Sequence, residues 1–391
     1  MTKKRLLATA VSAALISALV DGNPAMAQTP GWETVPTPNI GAGPNQFEGI
    51  SGTSGADVWA VGTYKSGSNS QPLAAHWDGD SWKAVDVPAP AGKNAVELYG
   101  VAAVAPSNVW AVGRAGTTFD LSGYSLITHW DGVTWQNVSA PTVGEPDEPD
   151  VLKAVAAVAP DDIWAVGHQY TLEEGAQALA MHWNGQSWTV VPTPYLGPGH
   201  AELFDVAVRS ANDVWAVGYG PLADGQTGPL VLRWDGDSWS RMNVPNDRQT
   251  NTIFTDVALN DRGEVFVAGS AQWRTWQGSL TGRATVARYD GSAWSYELAD
   301  EFHTEGTSLG DIAIGSAGEV WIAGFSRIGS RFAVRSGGDW KSVEGAAPNV
   351  EWGPDYGALA VLDGRLLAVG SYYSGSESQS LTYGERSAPL Y

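Results

Sequence analysis

Along most of the chain, short runs alternate apolar and polar residues, and clusters of Gly, Pro, Asn and Asp separate them. A period of two with turn residues between the runs predicts short β-strands joined by tight turns. Apolar residues at helical spacing are lacking beyond the N-terminal leader. A larger unit repeats over these runs. DVWAVG and its variants occur at Asp57–Gly62, Asn108–Gly113, Asp162–Gly167, Asp213–Gly218, Glu264–Gly269, Glu319–Gly324 and Arg365–Gly370. The glycines lie 51, 54, 51, 51, 55 and 46 residues apart. A period of about 50 residues with turns inside each repeat predicts propeller blades and not a helical solenoid.

Each repeat reads as four strands. The first is small and apolar (YGVAAVAP, LKAVAAVAP, FTDVALND), and DVWAVG is the second. The third ends as in LITHW, and a D-G or N-G turn leads into a fourth such as SWTVVPTP. Glycine in that turn tolerates the positive φ that a two-stranded hairpin demands. Fourth-strand tryptophans recur at Trp82, Trp135, Trp188, Trp239, Trp294 and Trp340, whereas the last repeat ends in SLTYGERSAPLY without one. The missing strand is found in GWETVPTPN, where Trp32 precedes the first repeat. The chain is therefore expected to be all-β, a seven-bladed β-propeller of four-stranded blades closed by an N-terminal strand that completes the last blade.

This layout resembles propellers of the kelch and galactose-oxidase type, and the W-D-G-x-x-W hairpins resemble those of secreted bacterial propeller lectins. Kelch repeats carry a double glycine after the second strand, where this chain has Val-Gly or Ala-Gly. The hairpin is also similar to the Asp-box turn, without keeping its full spacing. The resemblance implies the fold and brings no particular activity with it.

The first residues combine Lys3, Lys4 and Arg5 with an apolar stretch from Leu6 to Val20 and the small-x-small run Ala25-Met26-Ala27. Residues 1–27 are read as a cleaved secretory signal and residues 28–391 as a single propeller domain, exported and monomeric. The chain has no cysteine, which excludes thiolate catalysis and disulfide stapling, so burial must supply the stability. With 42 acidic against 22 basic side chains it is a poor partner for nucleic acid, and no later apolar run is long enough for membrane insertion.

Of the 19 tryptophans, 16 occupy repeat positions and are expected to pack between blades. Trp273, Trp276 and Trp352 do not. They fall in the variable second-to-third-strand loops and blade crossings, the face on which a rigid repeat places its function. A short loop at SRIGSR predicts a notch there. Its expected ligand-binding residues are Trp273, Trp276, Trp352, Tyr356, Arg327, Asp300, Glu301 and His303, since aromatic rings stack on sugar faces while charged groups bind hydroxyls. A glycan or other cell-surface ligand is the expected partner.

The alternatives are a polysaccharide hydrolase or lyase using Asp300, Glu305 or a histidine, and a protein-binding scaffold. No catalytic residue is assigned and no cofactor is predicted. Asp205, Asp256 and Asp311 share a position in three innermost strands and would either bond amides of the neighbouring blade or hold a structural calcium. His76, His129 and His182 share one repeat position and read as solvent-facing or edge residues. His168 sits just past its Val-Gly, where other repeats have Arg114 and Tyr219, and is expected near the mouth of the central channel.

Overall fold

The computed structural model describes residues 31–118, 120–144, 148–245, 251–274, 280–297, 308–326, 329–346, 355–375 and 379–390. Among these the elements are strands, and there is no helix long and apolar enough to cross a membrane. The strands form six sheets, five of four strands and one of eight. The eight-stranded sheet consists of two four-stranded meanders, residues 45–84 and 95–138, linked by one parallel pair between Ser70 and Ala95. Within the other internal sheets the strands follow in chain order and pair antiparallel. The last sheet is completed from the other end of the chain: Trp32–Thr34 pairs with Gln379–Ser387, in the register Trp32 to Ser387 and Thr34 to Glu385. Stacking of Trp32 on Phe332, with ring centroids 4.7 Å apart, and an ion pair between Glu33 and Arg386 hold it there.

The D-G and N-G hairpins form as the sequence predicts. Gly79, Gly132, Gly185, Gly236 and Gly291 have φ between 88° and 103°. The residue before each glycine caps the turn by accepting two backbone N–H groups. Asp131 does so from Val133 and Thr134 at 2.8 Å each, and Asn184 from Gln186 and Ser187 at 3.0 Å each. These bonds hold the exposed Asp290 carboxyl down at about 2.

A strand with one apolar face must bury it against a neighbour, so the core consists of layers between meanders. Trp59, Val61 and Ala74 of the first meander pack with Val109, Leu126 and Trp135 of the second. Trp164 and Val166 of the third pack in the same way with Leu230 and Trp239 of the fourth. An equivalent cluster joins the two ends of the series: Phe47, Ala60 and Trp77 pack with Ala358, Leu367 and Val369. At the same seam Gly55 N–H donates to Asp363 at 2.7 Å.

The repeated tryptophans form three-ring wedges between meanders. Trp59 lies 4.9 Å from Trp130 and meets Trp135 edge-on at 5.2 Å. Trp110 meets Trp183 and Trp188, and Trp164 meets Trp234 and Trp239, at 4.9–5.6 Å. Each buried ring contributes roughly 1.5–3 kcal/mol or more through area alone. His76, His129 and His182, read as solvent-facing or edge residues, lie at the edges of these wedges and remain partly exposed. Each is half-buried, stacks on the tryptophan of its own second strand at 4.3–4.7 Å, and bonds Asp57, Asn108 or Asp162 at 2.7–2.8 Å. Arg233 replaces the histidine in the fourth meander, 5.4 Å from the Trp215 ring and bonded to Asp213.

Candidate functional site

The innermost strand of every meander is irregular at one shared step, and the first four carry a second shift near their far ends. The shared shifts fall at Glu48, Tyr99, Lys153, Phe204, Thr255, Gly310 and Gly357. A bulge inserts one unpaired residue and re-aims its side chain. It also explains the invariant end of DVWAVG. A Cβ added at Gly113, Gly167 or Gly218 would overlap the backbone carbonyl of Glu97, Val151 or Glu202, which the bulge brings across the second strand. Glycine is required there by close approach of two backbones.

The bulged residues and their successors line an axial cavity of about 250 Å³. One side of its wall is small, with Gly49, Gly100, Ala154 and Ala358; the other carries Asp205, Asp256 and Asp311. The Asp205 carboxylate accepts Val257 N–H at 3.0 Å, Asp256 accepts Ile312 N–H at 2.5 Å, and Asp311 accepts Leu359 N–H. These aspartates tie each meander to the next through amides, the first of the two roles foreseen for them. Among the described residues no group of three or more His, Asp or Glu is placed to hold a metal ion. Burial pushes the Asp205 carboxyl up to about 7, against the pull of its amide partners, and raises Asp311 well above the usual carboxylate range.

Above the bulges, the residue following each Val-Gly pairs across to the innermost strand, which juxtaposes Arg114 with Glu97 and Tyr219 with Glu202. Tyr99 Oη donates to Glu97 Oε2 at 2.6 Å, and Arg114 Nε lies 3.5 Å from the same oxygen. Tyr219 Oη donates to Glu202 Oε1 at 2.8 Å; His168 Nδ1 lies 3.6 Å from Glu202 Oε2. Between these two groups, Lys153 Nζ sits 4.0 Å from the centroid of the Tyr99 ring, and Phe204 packs on Tyr219 at 5.7 Å.

Burial works against the Glu97 charge, but the Tyr99 hydrogen bond and Arg114 outweigh it and hold the carboxyl below its ordinary value. Burial pushes the Tyr99 and Tyr219 phenols up, and their carboxylate partners push them further. His168 is lowered by burial, partly opposed by Glu202; Lys153 is lowered by burial, partly opposed by Glu202 and Glu48. A neutral imidazole, two phenols, two carboxylates and two cations thus converge on one side of the channel mouth. Such an array binds several hydroxyls at once and presents aromatic surface beside them.

This position of His168 agrees with the sequence reading. Outward from it, Tyr170 packs near His200 at 6.3 Å, and the exposed Tyr195 donates to Glu174 at 3.1 Å. The notch foreseen on the opposite arc is another matter: Trp276, Asp300, Glu301, His303, Arg327 and Trp352 lie outside the described residues. Trp273 lies on the strand Val265–Arg274, paired with Thr281, and Tyr356 lies on Asp355–Leu362, paired with Gly370. Sequence reasoning missed Glu97, Tyr99, Lys153 and Glu202. The available signal was a charged or phenolic residue interrupting an otherwise small apolar first strand, as Lys153 does in LKAVAAVA.

No family model matches the chain, and no curated protein does. Its fold is similar to that of YCF48 bound to a D1 peptide, with a TM-score of 0.55 at 13% identity over 94% of this chain and 98% of that one. It is also similar to the polysaccharide lyase Uly1, with a TM-score of 0.57 at 9% identity over 88% and 90%. A PL25 ulvan lyase bound to -[GlcA(1-4)Rha3S]- gives 0.50 at 10% identity over 73% and 78%. At such identities the likeness is one of fold, and with the repeated four-stranded sheets it makes the chain an all-β protein of the propeller type.

Proposed function

We propose that this chain is an exported seven-bladed propeller that binds carbohydrate on its variable-loop face without turning it over. In this reading residues 1–27 direct export, residues 28–391 form one domain, and the seam between Phe47 and Val369 closes the ring of blades. The observation that carries it is the convergence of Glu97, Tyr99, Arg114, Lys153, His168, Glu202 and Tyr219 at the channel mouth. Paired donors and acceptors beside aromatic rings fit a sugar, which offers hydroxyls along its rim and C–H groups on its faces. The array continues through Tyr170 and Tyr195 towards the rim, giving a chain of sugar units a path outward. The notch residues Trp273, Trp276, Trp352, Tyr356, Arg327, Asp300, Glu301 and His303 would extend the surface on the far side.

The test is retention on a panel of immobilised polysaccharides. Tyr219→Phe and Glu202→Gln each should weaken binding about tenfold, the effect of removing a hydrogen bond to a charged group, and Trp352→Ala should weaken it if the notch takes part. Retention of no polysaccharide would refute the reading.

A second reading, polysaccharide cleavage, is favoured by one observation: His168 is held as a neutral base beside a carboxylate and a phenol. It requires release of new chain ends from a bound polysaccharide, lost in His168→Gln while binding persists.

A further inference from the structure

Resting on the carbohydrate-binding reading, we infer that the axial cavity selects acidic sugars by seating a uronate carboxylate on Lys153. Lys153 is the one cation among the seven bulged positions that line the cavity. Every other cation at the mouth has its acid: Arg114 and Lys65 both approach Glu97, at 3.5 and 3.9 Å, and Lys65 also donates to Ser70. His168 has Glu202. Lys153 has the face of Tyr99 and, among the described residues, no carboxylate or other acceptor within hydrogen-bonding distance.

An ammonium drawn out of water without an acceptor is costly, and the chain has 42 acidic side chains from which to supply one. Burial acts in the same direction, lowering the Lys153 pKa, so an arriving anion restores what burial removes. The neighbours limit the charge of that anion. Glu48, Glu97 and Glu202 all act on Lys153, and they would repel a doubly charged phosphate more strongly than a single carboxylate. Tyr99 and Phe204, on the bulges flanking Lys153, supply the apolar surface that the ring of a sugar acid needs beside its charge.

The experiment compares uronate oligosaccharides (galacturonan, glucuronan and alginate fragments) with the same oligosaccharides after reduction of their carboxylates to primary alcohols. Binding to the full chain is measured by titration calorimetry, with thermal melting of each variant as the check on folding. Wild type should bind at least one uronate about tenfold or more tighter than its reduced form, as a charge-assisted hydrogen bond predicts. Lys153→Met should abolish that preference, bringing the acidic and reduced forms to equal affinity, and Lys153→Arg should retain it.

Equal binding of acidic and reduced forms by wild type, or a preference that survives in Lys153→Met, overturns the inference and leaves the carbohydrate reading standing. Failure of wild type to bind any oligosaccharide, acidic or reduced, also overturns the inference, and the carbohydrate reading falls with it when the polysaccharide panel is likewise not retained.

Discussion

Asp205 gives the sharpest test of the channel wall. Its carboxylate accepts Val257 N–H at 3.0 Å, yet burial pushes its pKa from 3.8 to about 7. The folded protein therefore holds a proton on this group more tightly than the unfolded chain does. Below about pH 4 the carboxyl is protonated in both states and costs nothing. Between pH 4 and 7 the unfolded state releases the proton first, so stability falls as pH rises, and above 7 the loss is complete. At about 1.4 kcal/mol per tenfold in proton affinity, this displacement sets an upper figure of about 4 kcal/mol. Partial contact with cavity water reduces this to about 2 kcal/mol.

Asp205→Asn keeps an oxygen for the Val257 amide and removes the charge. Urea unfolding followed by tryptophan fluorescence should show wild type and variant within about 0.5 kcal/mol of each other at pH 4, and the variant more stable by about 2 kcal/mol at pH 8. Asp205→Ala, which leaves the amide unpaired, should be destabilised at both pH values. Parallel pH profiles for wild type and Asp205→Asn would refute the placement of a buried, charge-disfavouring carboxyl in the wall.

Gly167→Ala forces a Cβ into the Val151 carbonyl and should cost about 2–4 kcal/mol in urea unfolding, whereas Gly92→Ala, in an open turn, should cost about 1 kcal/mol or less. Trp164→Ala empties the centre of a three-ring wedge and should lower stability by about 3–5 kcal/mol, visible as a lower melting temperature; an unchanged melt would contradict the inter-meander packing. Because Asp205, Asp256 and Asp311 are committed to backbone amides, a chelator should leave the melting temperature unchanged, and a calcium-dependent rise would place an ion among them.

The repeat was legible because each meander solves one packing problem with one set of residues. Trp110 and its partners Trp183 and Trp188 recur at fixed offsets, and so does the Asx-capped hairpin after Trp130. Even the displaced Trp32 could be assigned, since only one outer strand was missing. The bulges were not legible. One extra residue in a strand of alanines and valines leaves no break in hydrophobicity, so Lys153 read as part of a ladder when it lines a cavity. The histidines of the third strands were legible as structural residues but not as partners of the tryptophans, for a related reason. A residue at an alternating polar position reads as solvent-facing, but a wide tryptophan ring beside it offers a surface to stack on.

The pairing of Trp32–Thr34 with the final strand also determines how the molecule bears load. The two tails leave the fold at neighbouring points, because Trp32 lies opposite Ser387 in an antiparallel register. Tension between the tails therefore acts on one residue pair at a time and opens the ladder as a zipper, resisted by the three pairs, the ring stack, the ion pair and the bonds that continue to Thr382. The tryptophan wedges would be loaded only after that ladder had parted. A chain held by one end experiences none of this, whereas a chain tethered at both ends would open first at the strand that joins its two termini.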